Sequence, residues 1–266
     1  MLGNAEMYAK PIKSLGQNFL KSEGIAIAEA EHSRGKTVIE LGPGYGILTK
    51  QLCKRAKKVV AVEKDQNLYR LLKTEISSKK LKLINADFFD VSDADLDVKD
   101  ADIMISNVPY NLSSKVIEWL LVHSMQAVLC LQKEFVEHMM AKEDTDKYSR
   151  LSVTTALCFS ITKILSVPRG NFYPVPKVDS MVIYLKPKAD LPTPKEIETI
   201  SLLMQHKNKR LKNALLDSHG HLKMDKRKIS QLLSGLEGEL EERAVKLSPT
   251  RLLELSRKIN KALQKE

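Results

Sequence analysis

The chain has 266 residues, of which 43% are hydrophobic and 29% are charged, and its formal net charge is +10. This composition excludes an intrinsically disordered chain, and the length suffices for one large domain and a smaller one. The positive charge favours a polyanionic partner such as nucleic acid, because phosphates neutralised by Lys and Arg release their counterions.

The cysteines and histidines give no sign of a disulfide framework or a metal site. Cys53, Cys130 and Cys158 are far apart and form no C-x-x-C pair, which favours free thiols in a reducing cytoplasm. His219 and His221 lack an evident third ligand, so we expect no metal. The first residues contain no apolar segment typical of a secretion signal, and the most apolar stretch, residues 119–131, is too short and polar to cross a bilayer. We therefore expect a cytoplasmic protein without membrane contact.

Short apolar and β-branched runs alternate with helical patterns in the first part of the chain, including a helix over Ile47–Arg55. The predicted strands are Thr37–Leu41, Lys58–Val62, Leu81–Ile84, Asp102–Ser106 and Ala127–Leu131. This alternation predicts an α/β fold with a mostly parallel sheet and helices on both faces. Two further strands, Thr162–Val167 and Met181–Leu185, flank a proline-rich loop, so we expect them to pair antiparallel at one edge and complete a seven-stranded sheet.

The first predicted strand runs into the glycine turn Gly42-Pro43-Gly44-Tyr45-Gly46. Glycines at such a turn let backbone amides approach a ligand closely, although tight turns also use glycine for purely structural reasons. The G-x-G-x-G spacing differs from the G-x-G-x-x-G of dinucleotide-binding proteins, which disfavours a nicotinamide dehydrogenase. A Lys-Ser/Thr phosphate signature is also missing after the glycines, so the sequence does not favour a nucleoside triphosphate.

Two carboxylates follow the next two strands. Glu63 can accept hydrogen bonds from both hydroxyls of a ribose, and Asp87 can accept one from an adenine amine. Because the carboxyl ends of parallel strands meet at one edge of a sheet, we expect both to lie near Gly42 and Asn107. The set predicts a site for an adenosine-bearing sulfonium cofactor whose charged methionine end lies near the glycine turn.

The fourth strand ends in Asn107-Val108-Pro109-Tyr110. The exocyclic amine of a purine is a poor nucleophile because its lone pair is delocalised into the ring. Methylating it requires acceptors for the amine and an aromatic face for the base. The Asn107 side-chain oxygen and the Pro109 carbonyl are candidate acceptors, and Tyr110 can stack on the base. The alternative interpretation is a plain strand-terminating turn.

The C-terminal part of the sequence predicts a small helical domain. Residues 187–194 contain three prolines and are typical of a linker. Thr193 precedes Pro194 and Glu196 in a helix-capping pattern, and Ser248-Pro249 begins a helix with apolar residues at helical spacing. We expect domains at residues 1–186 and 187–266. The segment 205–228 is rich in Lys and Arg, which indicates either a solvated helical face or an RNA-contacting surface. The candidate RNA-binding residues are Lys207, Lys209, Arg210 and Lys212.

Several segments together carry a family resemblance. They are Gln17-Asn18-Phe19-Leu20, GPGYGILT (42–49), Val62-Glu63-Lys64-Asp65, Asn85-Ala86-Asp87, NVPYNLSS (107–114), Leu131-Gln132-Lys133-Glu134 and FYPVPKVDS (172–180). Through them the chain closely resembles the ribosomal RNA adenine dimethyltransferases of the small subunit. The resemblance extends from about Leu15 to Leu185, and more weakly through residues 206–215 and 246–255. Ser113-Ser114 and the short helical tail are more typical of archaeal and eukaryotic members than of bacterial ones.

The resemblance implies a Rossmann-like methyltransferase domain and a helical domain that contacts RNA or the ribosome. It implies that an S-adenosylmethionine site is lined by Asn18, Leu20, Gly42, Glu63, Asp87 and Asn107. Gly44 of the glycine turn is the seventh candidate cofactor-binding residue. It also implies that Asn107, Pro109 and Tyr110 hold the target base while Phe172 packs on the other face of that base. The family usually has leucine where Val108 stands, and because both residues are apolar we expect the geometry to be kept.

The expected activity is dimethylation of N6 on two adjacent adenosines in a hairpin loop near the 3′ end of small-subunit rRNA, with a role in subunit biogenesis. The expected partner is the precursor small ribosomal subunit, and we expect the enzyme to be a monomer. A loop favours this chemistry, since an unpaired base is cheaper to bring into a pocket than one in a duplex. The alternatives are a large-subunit rRNA adenine methyltransferase and a non-catalytic relative that binds nucleic acid.

Overall fold

The structure is a computed structural model that describes residues 16–264. Leu15, where the expected resemblance begins, and the first residues, on which the expectation of no secretion signal depends, lie outside the described residues. The chain divides into two compact units. The first runs to Phe135 and resumes over Ile161–Pro187, and the second comprises Val136–Ser160 and resumes at Lys188. The expected second domain was residues 187–266. The second unit resumes one residue later than that, at Lys188, and it also includes residues 136–160.

The first unit is built around a seven-stranded sheet in the order β4-β3-β2-β5-β6-β9-β7. Its strands are β2 (Thr37–Leu41), β3 (Lys58–Glu63), β4 (Leu81–Asn85), β5 (Ile103–Asn107), β6 (Ala127–Gln132), β7 (Phe159–Val167) and β9 (Ser180–Pro187). The pairs from β4 through β6 are parallel, and β9 runs antiparallel to β6. A separate two-stranded antiparallel sheet joins β1 (Phe19–Leu20) to β8 (Phe172–Tyr173). The predicted fold class is confirmed.

The strand and helix patterns of the sequence gave most elements of this unit. The helices are α1 (Glu23–Ala30), α2 (Ile47–Arg55), α3 (Gln66–Glu75) and α4 (Ser113–Val122), and α5 (Lys133–Met139) begins in this unit and ends in the second. The first predicted strand and the predicted helix Ile47–Arg55 match the structure, and the other strands differ at their ends by one to three residues. The sheet of β1 and β8 was missed because a strand of two residues has no periodicity to detect.

Burial of β-branched residues explains the sheet. All five residues of β2 are buried, as are five of the six in β3. Val38, Val60 and Ile105 are fully buried. Each such side chain contributes about 1.5–3 kcal/mol relative to an exposed one. A strand buried on both faces lies inside a parallel sheet, which leaves the carboxyl ends of the strands as the place where polar groups can gather.

The second unit is helical. Its helices are α6 (Arg150–Cys158), α7 (Pro194–Gln205), α8 (Leu211–Asp217), α9 (His219–Leu222), α10 (Lys226–Leu232) and α11 (Pro249–Leu263). The predicted caps are present, since Thr193 and Glu196 form a capping box and Ser248 caps α11. The Tyr148 hydroxyl donates to the Leu247 carbonyl at 2.8 Å, which helps to explain why residues 136–160 belong with the C-terminal helices. In the described part of the chain, each helix is too short or too polar to cross a membrane.

Candidate active site

The glycine turn after β2 requires residues without side chains. Gly42, Gly44 and Gly46 have φ angles of 65°, 58° and 77°, a region that glycine enters without strain. A Cβ on Gly44 would lie 2.8 Å from a ring carbon of Phe19, and one on Gly46 would lie 2.7 Å from a methyl carbon of Leu72. The turn therefore brings bare backbone to the carboxyl edge of the sheet and then starts α2.

Glu63, the last residue of β3, holds this turn in place. The residue is only 5% exposed. One oxygen accepts the backbone N–H of Gly44 at 3.1 Å, and the other accepts that of Asp65 at 2.8 Å. Burial raises the pKa of Glu63 to about 7, although these backbone hydrogen bonds oppose the rise. Each oxygen keeps a second lone pair for a ligand hydroxyl.

Asp87, which follows β4, lies against the same cleft but already has partners. One of its oxygens accepts from Lys64 Nζ at 2.8 Å, and the other caps the backbone N–H of Phe89 at 3.1 Å. The hydrogen bond from Lys64 holds the pKa of Asp87 below its ordinary value. The carboxylate is thus charged at neutral pH and remains able to accept further hydrogen bonds.

A cleft of about 840 Å³ joins these strand ends. Its walls include Asn18, Gly42, Gly44, Glu63, Asp87 and Asn107, together with apolar side chains such as Val62, Leu68 and Phe88. Six of the seven residues predicted for the cofactor site therefore line one cleft. Leu20 does not; it lines a smaller adjoining cavity of about 330 Å³ that also contains Glu40 and shares Asn18, Gly42, Gly44 and Asn107 with the cleft. Gln17, Phe19 and Asn111 also line the cleft; they belong to segments that carry the family resemblance but were not predicted as site residues.

Asn107 is held by a residue that sequence reasoning missed. Its side-chain nitrogen donates to Glu29 Oε2 in α1 at 3.2 Å. Its side-chain oxygen is buried and accepts no hydrogen bond from any residue in the range 16–264. A buried acceptor left in this state costs about 1–3 kcal/mol, which is typical of a group that awaits a ligand. The signal that the sequence offered for Glu29 was its position as the one charged residue in the segment 24–30, which otherwise consists of glycine, isoleucine and alanine.

The residues predicted to hold the target base line a third cavity, of about 220 Å³. Asn107 lines both this cavity and the cleft. Asn107, Pro109, Tyr110 and Phe172 all contribute to its wall, with Val108 between them. The Tyr110 hydroxyl is 2.8 Å from the Ser180 hydroxyl, which holds the half-buried ring in place. Phe172 is 2% exposed and belongs to the hydrophobic core, so its ring serves both the core and the cavity. The Pro109 carbonyl accepts the Leu112 N–H at 2.8 Å, which leaves one lone pair for a base.

Three buried carboxyl groups lie around the cleft and the cavities. The pKa values of Glu29 and Glu40 are each raised to about 8, mainly by burial; for Glu40 the charges of Glu29 and Glu63 contribute to the rise. Glu63 is the third, with a pKa of about 7. A nearby positive charge would favour their ionised forms, so this end of the sheet is suited to a cationic ligand.

The four basic residues predicted to contact RNA lie in the second unit, and each already has a partner. Lys209, Arg210 and Lys212 form exposed ion pairs with Asp217, Glu241 and Glu237, respectively. Lys207 differs, because its ammonium donates to the backbone carbonyls of Asp146 and Tyr148 at 3.2 and 2.6 Å. The first three can exchange an exposed carboxylate for a phosphate at little cost, whereas Lys207 ties two segments of its unit together.

Comparison with known proteins identifies relatives over nearly the whole chain. A family model described as "Ribosomal RNA adenine dimethylase" matches residues 9–244. A curated protein from Methanosphaera stadtmanae, named "Probable ribosomal RNA small subunit methyltransferase A", is 39% identical over 90% of both chains.

Two solved structures are similar in fold. The crystal structure of a dimethyladenosine transferase from Plasmodium falciparum is 26% identical with a TM-score of 0.76, covering 92% of this chain and 98% of the other. The crystal structure of the 23S rRNA methyltransferase ErmE is 25% identical with a TM-score of 0.62, covering 91% of this chain and all of the other.

Proposed function

Because the chain belongs to the ribosomal RNA adenine dimethylase family, we propose that it dimethylates N6 of two adjacent adenosines in a hairpin loop near the 3′ end of small-subunit rRNA. The observation that carries this proposal is the side-chain oxygen of Asn107. It is buried without a partner among the described residues, and Asn107 lies on the wall shared by the cleft and the cavity that Pro109, Tyr110 and Phe172 line.

The donor set of the cleft fits S-adenosylmethionine, which supplies an electrophilic methyl group when bound. Glu63 accepts from the ribose hydroxyls with the lone pairs that its backbone hydrogen bonds leave free. Asp87 accepts from the adenine amine, while Val62, Leu68 and Phe88 enclose the ring. Gly42 and Gly44, with Asn18 and Leu20, line the adjoining cavity and would hold the methionine end. The buried carboxylates nearby favour its positive charge.

On the other side of Asn107, the protein holds the amine of the target base. The Asn107 side-chain oxygen and the Pro109 carbonyl accept the two N–H groups, which turns the nitrogen lone pair toward the methyl donor. Tyr110 and Phe172 pack on the base, and stacking of this kind contributes about 1–3 kcal/mol per base. Catalysis then depends mainly on orientation. The methylated amine loses its proton readily, so the reaction does not demand a strong general base.

RNA binding combines this pocket with charge. The net charge of +10 attracts the phosphate backbone from a distance. In the second unit, Lys209, Arg210 and Lys212 exchange their exposed carboxylate partners for phosphates around the hairpin loop. The enzyme acts as a monomer in the cytoplasm on precursor small subunits, where the three free thiols stay reduced.

Mass spectrometry of rRNA fragments, before and after incubation with the protein and S-adenosylmethionine, tests the proposal. We expect two methyl groups on each of two neighbouring adenosines in precursor small subunits, and little transfer to naked large-subunit rRNA. The likeness to ErmE makes that second substrate the appropriate comparison. Preferential transfer to large-subunit rRNA, or no transfer to either RNA, would overturn the proposal.

A further inference from the structure

Glu29 is a buried carboxylic acid outside the sequence motifs of the site. It lies near the end of α1 and is 0% exposed. One of its oxygens accepts from Asn107 Nδ2 at 3.2 Å, across 78 positions of sequence. Its other oxygen is buried and unpaired with respect to the residues that the structure describes. Burying a carboxyl group with so few partners is costly, so its presence requires a reason other than stability.

We propose that Glu29 is a positioning residue for methyl transfer, which holds the side-chain amide of Asn107 with its nitrogen toward α1 and its oxygen free to accept from the target amine. This inference rests on the proposed function. Glu29 does not itself contact the base or the cofactor. Its role is to select one of the two orientations of the Asn107 amide.

The physical reason is the near-symmetry of an asparagine side chain. Rotation by half a turn exchanges its oxygen and its nitrogen with almost no change in shape. In the rotated form the Asn107 oxygen would face the carboxylate of Glu29, and two acceptors would oppose each other. The Asn107 nitrogen would face the adenine amine, and two donors would oppose each other. An ionised Glu29 disfavours that form, because it can only accept. While Glu29 is ionised, the amide is thereby held in the single orientation that serves the chemistry.

The surroundings of Glu29 set the conditions for a test. Its carboxyl group is close to Asn107 of β5. Burial raises the pKa values of Cys130 in β6 and Glu40 in β2, and the charge of Glu29 adds to that rise. Burial raises the pKa of Glu29 itself to about 8. A protonated Glu29 can donate as well as accept, so it would fix the amide less firmly. Measurements are therefore most informative at about pH 8.5, where the ionised form prevails.

The orientation can be read in the protein without RNA or cofactor. In two-dimensional ¹H–¹⁵N spectra, the side-chain amide of Asn107 is identified by its absence in Asn107→Ala. We expect its protons to exchange with water at least about tenfold faster in Glu29→Met, which keeps the bulk of the side chain but removes the acceptor. An amide signal with unchanged shift and exchange in Glu29→Met would overturn the inference, whatever the enzyme's activity.

Kinetics supply the second readout. We expect Glu29→Gln and Glu29→Met to lower kcat by about 10–100-fold while KM for the RNA and Kd for S-adenosylmethionine stay within about twofold. Glu31→Gln is the matched control, since Glu31 lies two positions away and its carboxylate pairs with Arg34 and Arg55 at the surface. Wild-type kcat in both Glu29 variants would overturn the inference. So would a loss of cofactor binding in parallel with kcat, since that indicates a structural role. A wild-type protein that transfers no methyl group would instead contradict the proposed function.

Discussion

The backbone N–H of Gly44 donates a 3.1 Å hydrogen bond to the buried carboxylate of Glu63. The bond joins the glycine turn after β2 to the end of β3, the neighbouring parallel strand. Glu63 therefore shapes the turn in addition to facing the cleft. The same carboxylate is proposed to bind the ribose, so the turn and the ribose are positioned by one group.

Replacing Glu63 by Gln is expected to weaken S-adenosylmethionine binding. Hydrogen bonds to a charged group contribute about 1.5–3 kcal/mol, so losing the charge should raise Kd by about tenfold or more. Isothermal titration calorimetry measures this directly. Glu75→Gln is the control, because Glu75 forms an exposed ion pair with Lys50. An unchanged Kd in Glu63→Gln would contradict the assignment of the ribose site.

Replacing Asn107 by Ala is expected to separate binding from chemistry. The variant loses the buried oxygen that accepts from the target amine, so methyl transfer should fall by about 100-fold or more. Kd for the cofactor should change little, because Glu63 and Asp87 remain. Tritium transfer from labelled S-adenosylmethionine to precursor subunits gives the rate. Full activity in this variant would rule out the proposed role of Asn107.

Tyr110 variants distinguish stacking from hydrogen bonding. Tyr110→Phe removes only the hydroxyl that contacts Ser180, so it should keep most of the activity. Tyr110→Ala removes the ring, and the loss of about 1–3 kcal/mol of stacking should raise KM for the RNA about 5–100-fold. Steady-state kinetics on precursor subunits compare the two. Equal losses in both variants would show that the hydroxyl, and not the ring, is what matters.

The basic residues of the second unit are expected to act in two different ways. Combined replacement of Lys209, Arg210 and Lys212 by Ala should weaken RNA binding and flatten its salt dependence, with little change in thermal stability. Lys207→Ala should lower the melting temperature, since its ammonium bridges two carbonyls. Filter binding across a salt series, with calorimetric melting, measures both effects.

Lys195→Ala is the matched control for these variants, because Lys195 forms a local exposed pair with Glu198 in the same unit. RNA affinity that is unchanged across the salt series in the triple variant would remove these residues from the RNA-binding surface.

Stability should fall as the pH rises from about 5 to 8. The pKa values of Glu29 and Glu40 are about 8 in the folded protein, against 4.5 when unperturbed. Between these values the folded state binds more protons than the unfolded state, so raising the pH favours unfolding. The upper limit is about 1.4 kcal/mol per pH unit for each group. Melting temperatures of the cofactor-free protein at pH values of about 5.5 and 8 provide the measurement.

Glu40→Gln should show a shallower dependence on pH than the wild type, and Glu75→Gln should show the same dependence. The carboxylates with lowered pKa values, such as Asp87 and Glu239, titrate below this window and do not contribute. Stability that rises with pH across the window would contradict the burial of neutral carboxyl groups at the site.

The position of the cleft was predictable from the sequence because it depends on strand order and local chemistry. Strands such as Thr37–Leu41 carry β-branched apolar runs, and parallel strands end at one edge. It followed that Gly42, Glu63 and Asp87 would meet there, and they do line one cleft. The helix caps at Thr193 and Ser248 were equally readable, since a cap depends on residues within one turn of the chain.

Only the tertiary structure decided which atoms of those residues remain available. Glu29 and Asn107 meet across 78 positions of sequence, so nothing near either residue indicates how the Asn107 amide is turned. In the same way, Lys207 binds carbonyls of a segment about sixty residues earlier in the chain, which gives a residue from a basic run a structural role. Sequence patterns report neighbours within a few residues, whereas hydrogen-bond partners are set by packing between distant segments.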